Sequence, residues 1–153
     1  NGGGGKGKLI PSNRDNIDCL SFSSKDFSIP PLTSQTTKFL TVPLPPGLKI
    51  EMLLDKLEGT MNNTSGEIFL NFESKFFLNI GPIIKFPGLI VKTILQTGRV
   101  KGKLHEAEGL ILQENGKLKL VGIATIPLTG NKILDTFLGL PNEALAELQC
   151  EIK

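Results

Sequence analysis

The chain contains one histidine, His105, which lies between Lys103 and Glu106 in a stretch of mostly polar residues. A histidine can activate a serine nucleophile only where the nucleophile and an orienting carboxylate converge with it on one site. The residues around His105 give no sign of such a pocket, so we interpret it as an exposed surface histidine. We identify no catalytic residue, and we expect a protein that is not an enzyme. An enzyme that holds its substrate in a barrel and uses backbone or isolated polar groups is the alternative.

Two pairs of carboxylates, Glu106 with Glu108 and Glu51 with Asp55, lie close enough in sequence to suggest general acid–base chemistry. That chemistry needs one carboxyl group whose pKa is raised by burial, and nothing in either pattern indicates burial. With one histidine, no cysteine cluster and no aspartate-rich loop, we expect neither a transition-metal nor a calcium site. We therefore expect no cofactor.

The two cysteines, Cys19 and Cys150, lie near opposite ends of the chain. They form no CxxC motif, which argues against a zinc site. They are either two buried thiols or a disulfide that joins the first predicted strand to the last. The disulfide requires those two strands to be neighbours.

The chain opens with a basic, glycine-rich segment, and we predict that residues 1–11 form a flexible tail. A phosphate-binding loop would need a preceding strand and a Ser or Thr after the Gly-Lys pair. Lys6 and Lys8 are followed instead by Gly7 and Leu9, so this interpretation is set aside. The glycine- and lysine-rich start suggests a plastid (chloroplast) protein from which a transit peptide has been removed.

Length and composition indicate one globular unit, which we place at residues 12–153 of the 153. The hydrophobic share of 39% and the charged share of 21% are ordinary for such a domain. A formal charge of +2, with no basic stripe among aromatics, argues against nucleic acid as a partner. No apolar run is long enough for a membrane-spanning helix, although a peripheral membrane contact is compatible with the pattern.

The clearest structural signal is a ribbon from Glu67 to Ile80. Its even positions are almost all apolar, whereas most of its odd positions are polar or charged. Side chains along a strand point alternately to opposite faces, so this pattern predicts one long strand with a single buried face. A helical period would scatter the polar residues around the axis.

Further strands follow from similar patterns on both sides of the ribbon. Leu48–Leu57 is compatible with a helix or a strand, and we favour the strand because a turn at Asn62–Gly66 would join it to the ribbon. Leu89–Thr97 is apolar on both faces and is predicted to be covered on both. The short helix predicted at Asn131–Leu138 begins at a capping asparagine and ends at Gly139. The remaining predicted strands are Ile17–Ser23, Thr37–Val42, Arg99–Leu112, Lys117–Pro127 and Leu145–Ile152.

The turn before Lys117 allows a register to be predicted. A two-residue loop would oppose Leu112 to Lys119 and so mix the two faces, whereas a three-residue loop with a left-handed Gly116 opposes Leu110 to Leu120. We therefore predict the three-residue loop. The whole chain then reads as an all-β fold with one short helix near the C-terminus. About eight antiparallel strands would form a curved sheet that closes as a barrel or a sandwich.

Trp and Tyr are absent, whereas Phe occurs nine times, which argues against carbohydrate recognition. Exposed apolar side chains usually mark a partner, a lipid surface or a ligand site. The predicted contact residues are Phe69, Phe77, Ile83, Ile84 and Phe86. We expect an accessory domain that docks through them onto a protein partner or a membrane-associated assembly, unless the predicted helix covers that face of the ribbon. The alternative is a barrel that carries an apolar molecule such as a lipid, pigment or isoprenoid, and an apolar cavity of several hundred cubic ångströms would favour it.

Overall fold

The structure is a computed structural model, which describes residues 3–12, 16–33, 38–39, 42–43 and 46–152. Among these residues it contains thirteen strands and one helix. The strands are β1 Gly4–Ile10, β2 Ile17–Ser28, β3 Leu32–Thr33, β4 Lys38–Phe39, β5 Val42–Pro43, β6 Leu48–Asn62, β7 Ile68–Ile80, β8 Ile84–Lys85, β9 Leu89–Gln96, β10 Arg99–Lys101, β11 Glu106–Glu108, β12 Lys117–Ile126 and β13 Asn142–Glu151; the helix, α1, spans Lys132–Leu138.

Seven of the strands form one curled antiparallel sheet in the order β1-β2-β6-β7-β9-β12-β13. The short strands β3 and β8 pair with β6 and β7 at one end of it. The prediction of an all-β fold with a curved antiparallel sheet and one short helix is confirmed. The sheet is a half-barrel, and its two edge strands are β1 and β13.

The predicted ribbon is the strand β7, which lies at the middle of the sheet between β6 and β9. Its even positions face the concave side, where Ile68 and Leu70 are each 1% exposed and Leu78 is also buried. The odd positions face the convex side, where Phe69 is exposed and Lys75 forms an ion pair with Asp55. The two-residue period therefore sorts the side chains as the sequence predicts.

The ambiguous pattern over Leu48–Leu57 is explained by a β-bulge in β6. Leu54 opposes Ser74 and Lys56 opposes Glu73, so Asp55 is an extra residue in the ladder. The bulge shifts the alternation by one position, which places both Leu54 and Leu57 on the buried face. Their spacing of three resembles a helical stripe, although the segment is a strand.

The helix α1 forms as predicted and is capped at both ends. The Asn131 side chain accepts hydrogen bonds from the backbone N–H groups of Ile133 and Leu134, and Gly139 ends the helix in the left-handed conformation. Leu134 and Leu138 pack with Leu48 and Leu78. The helix thus lies on the concave face of the sheet, and the alternative that it covers the other face of β7 is not realised.

The predicted flexible tail is corrected by the structure, because Gly4–Ile10 forms β1 and pairs along β2. All seven residues of β1 are exposed, so no apolar alternation marked it as a strand. Its glycines contribute backbone hydrogen bonds and close approach to β2 rather than buried side chains. The boundary predicted at residue 12 therefore does not separate a tail from the domain.

Two other predictions are wrong in part. In β9 the side chains of Ile90 and Ile94 are 50% and 53% exposed, so this strand is buried on one face only. The continuous strand predicted over Arg99–Leu112 is instead a small separate hairpin of β10 and β11, followed by an irregular segment. Leu104 and Leu110, two apolar residues of this segment, are exposed.

The loop before β12 is of the predicted type, although the register beyond it differs. The Gln113 N–H donates to the Lys117 carbonyl across a three-residue loop in which Gly116 has a φ of 78°. Leu110 then bridges to Lys119, not to Leu120. The slip arises because the Leu112 N–H bonds to the Gly66 carbonyl instead of to β12. Of the strand predicted over Thr37–Val42, residues 37, 40 and 41 lie outside the described residues. The described part is not one continuous strand, because β4 and β5 pair with each other and Phe39 opposes Val42.

Candidate functional site

An open cavity of about 570 Å³ lies on the concave face of the half-barrel, at the end of the sheet opposite α1. Its floor is formed by the inward-facing side chains at the start of β7 and β12, namely Ile68, Leu70, Leu118 and Leu120. These four side chains are at most 4% exposed and belong to one core cluster. The volume lies within the range of pockets that hold small molecules.

One wall of the cavity is built by β2 and β1. Leu20, Phe22 and Phe27 project from β2, and the rings of the two phenylalanines meet edge to face with centroids 6.2 Å apart. The backbone of β1 runs directly beside these rings: a Cβ atom on Gly7 would lie 2.6 Å from the Phe22 ring. Glycine at this position lets β1 approach the Phe22 ring closely on this side of the cavity.

The opposite wall is the last strand, β13, from which Leu148 and Cys150 face the cavity, together with Ile152 directly after it. Because β1 and β13 are the two edges of the sheet, the cavity lies at the seam between them. We call this gap the β1–β13 seam. Burial raises the pKa of the Cys150 thiol to about 11.

The two cysteines are free thiols in the structure. Cys19 lies exposed on β2, whereas Cys150 is half-buried at the cavity. The neighbours of β2 are β1 and β6, and β13 pairs with β12. The strands that a disulfide would have to join are therefore not adjacent, and the disulfide alternative is not realised.

Neither the histidine nor the paired carboxylates considered in the sequence line the cavity. His105, which was predicted to be exposed, is instead partly buried outside the cavity, with its Nε2 atom 3.2 Å from the carbonyl oxygen of Glu143. Within the described part of the chain, no three residues of His, Cys, Asp or Glu are grouped so that they could hold a metal ion. No helix of the described residues has the length and apolar character needed to cross a membrane.

The five predicted contact residues do not form one continuous strip. Phe69 and Phe77 are eight residues apart on β7, which separates them by about 26 Å along the strand. Phe77 is half-buried against Gly88, and Phe86 packs into the concave cluster beside Leu78.

The convex face between Phe69 and Phe77 is mixed, because charged groups lie beside the exposed side chains of Ile90 and Ile94. Ion pairs cross it at Lys75–Asp55 and Lys92–Glu73, with oxygen–nitrogen distances of 3.2 and 2.9 Å. A docking surface over the full length of β7 would have to cover these charged groups. The predicted contact residues therefore fall into separate regions of the molecule.

Ile83 and Ile84 are exposed near the end of the sheet against which α1 packs. Ile83 is 86% exposed, and Ile133 on α1 is 84% exposed. Phe137, one turn along the helix, is also exposed. We call Ile83, Ile84, Ile133 and Phe137 the α1-end surface. Ile133 and Phe137 were not among the predicted contact residues.

The cavity-lining residues were predicted to face inward, but not to line an open space. Two-residue periodicity assigns Leu70 and Leu120 to a buried face, whereas a cavity depends on how far apart the curled edges of the sheet lie. Phe22 and Phe27 in β2 offered a signal, since they are aromatic residues within a mostly polar strand. No protein-family model, no curated protein and no solved structure matches this chain.

Proposed function

We propose that this protein is a carrier that holds an apolar small molecule in the cavity of its half-barrel. The observation that supports this proposal is the cavity of about 570 Å³, whose side chains from β2, β7, β12 and β13 are almost all apolar. Transfer of apolar surface from water into such a site provides roughly 25 cal/mol per Å² that is buried. The rigid floor of buried leucine and isoleucine side chains keeps the site formed before the ligand binds.

The first test is to extract the purified protein with organic solvent and identify any apolar molecule by mass spectrometry. The stripped protein should then bind Nile red saturably, at about one dye per chain. Retention of neither an apolar molecule nor the dye would contradict the carrier function.

A matched pair of variants locates the binding site. Leu148→Trp places a large ring in the cavity, whereas Leu145→Trp places the same ring on the same strand but away from the cavity. We expect Leu148→Trp to weaken Nile red binding about tenfold or more, equivalent to ~1.4 kcal/mol, and Leu145→Trp to leave it unchanged. Because the chain contains no other Trp, the fluorescence of each new ring also reports on the ligand. Equal effects of both variants would place the binding site elsewhere.

A second candidate function is that of an accessory domain that docks onto a membrane-associated assembly. The α1-end surface supports it, since Ile83 and Ile133 are almost fully exposed and each lies close in sequence to a lysine, Lys85 or Lys132. Isolated apolar side chains beside cations are typical of residues that insert at the surface of an anionic membrane.

Cosedimentation with vesicles that contain anionic lipid tests this second candidate. Ile83→Asp with Ile133→Asp should abolish cosedimentation. The control, Ile90→Asp with Ile94→Asp, changes two exposed isoleucines on the convex face of β9 and should have no effect. Failure of the unmodified protein to cosediment would exclude membrane docking through this surface.

A further inference from the structure

The two edge strands of the sheet present backbone groups to both sides of the β1–β13 seam. Within the described part of the chain, β1 pairs with β2 alone and β13 pairs with β12 alone. The Ile152 N–H donates to the Gly116 carbonyl, which fixes the alternation of hydrogen bonds between β12 and β13. The N–H and carbonyl groups of Glu147, Gln149 and Glu151 therefore point towards the seam rather than towards β12. An edge of this kind is a template for a further strand.

The directions of the edge strands decide what can close the seam. Every neighbouring pair along the sheet is antiparallel, from β1 with β2 to β12 with β13. The seven strands are thus joined by six antiparallel pairings, so β1 and β13 run in the same direction. One additional strand that runs the opposite way can pair antiparallel with both edges at once. It would complete a set of eight strands, a number at which small barrels close.

The cavity has room for the side chains of such a strand. Gly5 and Gly7 occupy positions of β1 that face the cavity, and neither carries a side chain that would fill it. A volume of about 570 Å³ takes roughly 19 groups of the size of a water molecule, or about four leucine side chains. A strand that matches the seven residues of β1 directs three or four side chains to one face. The size of the cavity therefore agrees with the length of the open edge.

The outer face of the seam carries charges of both signs. Lys6 and Lys8 lie on this face of β1, because the glycines next to them face the cavity. Glu147 and Glu151 lie on the outer face of β13, because the side chains of the alternate residues face inward. A second copy would bring lysines beside Lys6 and Lys8 if it inserted β1, or carboxylates beside Glu147 and Glu151 if it inserted β13. Like charges on adjacent strands are destabilising, so an uncharged outer face fits the seam better than either edge of a second copy.

We propose that the β1–β13 seam is a docking site for one extended segment of another protein, which inserts as a strand antiparallel to both edges. Its alternate apolar side chains fill the cavity, and its uncharged polar side chains face outward. Its backbone forms hydrogen bonds with β1 and β13. The inserted strand and an apolar small molecule occupy the same cavity, so each excludes the other. The docking site does not depend on the carrier function.

Peptide binding to the unmodified protein tests this docking site. The probe is a seven-residue peptide in which four leucines alternate with three threonines, labelled with fluorescein at its N-terminus and titrated by fluorescence polarisation. We expect saturable binding of about one peptide per chain. A control peptide of the same composition, with its four leucines consecutive, should bind about tenfold more weakly, because only alternation directs all four leucines to one face.

Backbone methylation separates strand insertion from simple binding of an apolar peptide. Along a strand, successive N–H groups point to opposite neighbours. N-methylation of the leucines therefore removes the donors to one edge of the seam, and N-methylation of the threonines removes the donors to the other. We expect each methylated peptide to bind about tenfold more weakly, although its side chains are unchanged. Equal affinity of the methylated and unmethylated peptides would overturn the inference.

A matched pair of proline variants locates the site on β13. Gln149→Pro removes an N–H group that points into the seam and keeps the hydrogen bonds with β12, since proline is tolerated where the N–H of an edge strand faces solvent. Leu145→Pro makes the same change on the same edge, outside the residues that line the cavity. With folding of both variants checked by circular dichroism, we expect Gln149→Pro to weaken the alternating peptide about tenfold and Leu145→Pro to leave it unchanged. Equal losses in the two variants would place the peptide elsewhere and overturn the inference.

The docking site and the carrier function fail in different ways. Binding of the alternating peptide without binding of Nile red would support the docking site and contradict the carrier. Binding of Nile red without binding of the peptide would overturn the docking site and leave the carrier. A dimer in gel filtration that excess peptide does not dissociate, together with no peptide binding, would place a second copy in the seam and overturn the inference. Where both compounds bind, we expect the peptide to displace Nile red.

Discussion

Cys150 and Cys19 place two thiols of one chain in opposite environments. Burial raises the pKa of Cys150 to about 11, so little reactive thiolate forms at neutral pH, whereas Cys19 is exposed. We expect iodoacetamide to alkylate Cys19 faster, and the rate at Cys150 to rise with pH towards 11, as measured by peptide mass spectrometry. A ligand in the cavity should slow alkylation of Cys150 alone, with Cys19 as the internal control. Equal rates at the two thiols in the free protein would contradict this assignment.

Ser74 is the polar residue in the middle of the buried face of β7, where it is 0% exposed. Its hydroxyl group donates to the Leu53 carbonyl at 2.7 Å, beside the bulge in β6. Ser74→Ala removes the donor from this buried bond, so we expect the free energy of unfolding in urea to fall by about 1–3 kcal/mol.

The control for Ser74→Ala is Ser65→Ala, which lies in the exposed turn between β6 and β7. Its hydroxyl group donates to the Glu67 carboxylate in water, so the loss should be within about 0.5 kcal/mol. If both variants lost the same free energy, the buried bond would not be the cause of the Ser74 effect.

At the residue scale, the sequence predicts which face of a strand is buried but not what the buried face encloses. The alternation in β7 correctly predicts that Ile68, Leu70 and Leu78 are buried, because apolar residues two apart lie on the same face of a strand. Phe69 and Phe77 share a face by the same rule, yet they do not form one surface. Their separation and the ion pairs between them depend on neighbouring strands that the local pattern does not specify.

At the scale of the element, segments whose ends are marked by capping or turn residues are predicted well. The helix α1 has a capping asparagine and a left-handed glycine, and both are found where predicted. The strand β1 and the bulge at Asp55 were not predicted. A glycine-rich edge strand is held by backbone hydrogen bonds, which leave no side-chain pattern, and a bulge breaks the period from which strands are identified.

The hairpin of β10 and β11 is attached to β13 by the carboxylate of Glu143. This carboxylate accepts hydrogen bonds from the backbone N–H groups of Lys103 and Leu104, at 2.8 and 2.9 Å for Oε2. These two hydrogen bonds lower the pKa of Glu143 below its ordinary value of 4.5, and the bond from Lys103 has the larger effect. Because the pKa is lower in the folded state, the attachment contributes stability above pH 4.5, and this contribution is lost as the pH falls through the lowered pKa.

The expected result is a shared pH-dependent change in the amide proton shifts of Lys103 and Leu104, with a midpoint below 4.5, measured by NMR. Glu143→Gln keeps an acceptor oxygen but cannot titrate, so this change should disappear. A midpoint at or above 4.5, or the same change in Glu143→Gln, would show that another group controls the hairpin.

At the scale of the whole molecule, the curvature of the sheet decides whether its interior is filled or open. The sequence left open a barrel and a sandwich, because closure depends on the distance between the first and last strands. In the structure β1 and β13 each pair on one side only, and the cavity lies between them. The site is thus a property of the seam, and no single segment of the chain encodes it.

The same geometry predicts where the sheet opens to admit a ligand. β1 pairs only with β2 and buries no side chain, whereas β7 pairs on both sides and carries much of the core. Segments with few buried contacts open at the lowest free energy, so amide hydrogens of β1 should exchange faster than those of β7. Hydrogen-exchange mass spectrometry with bound Nile red should then show slower exchange in β1 and in the last residues of β13. The helix α1, at the other end of the sheet, should exchange at an unchanged rate. Protection of α1 instead of β1, or a free β1 as protected as β7, would mean that the ligand does not pass through the β1–β13 seam.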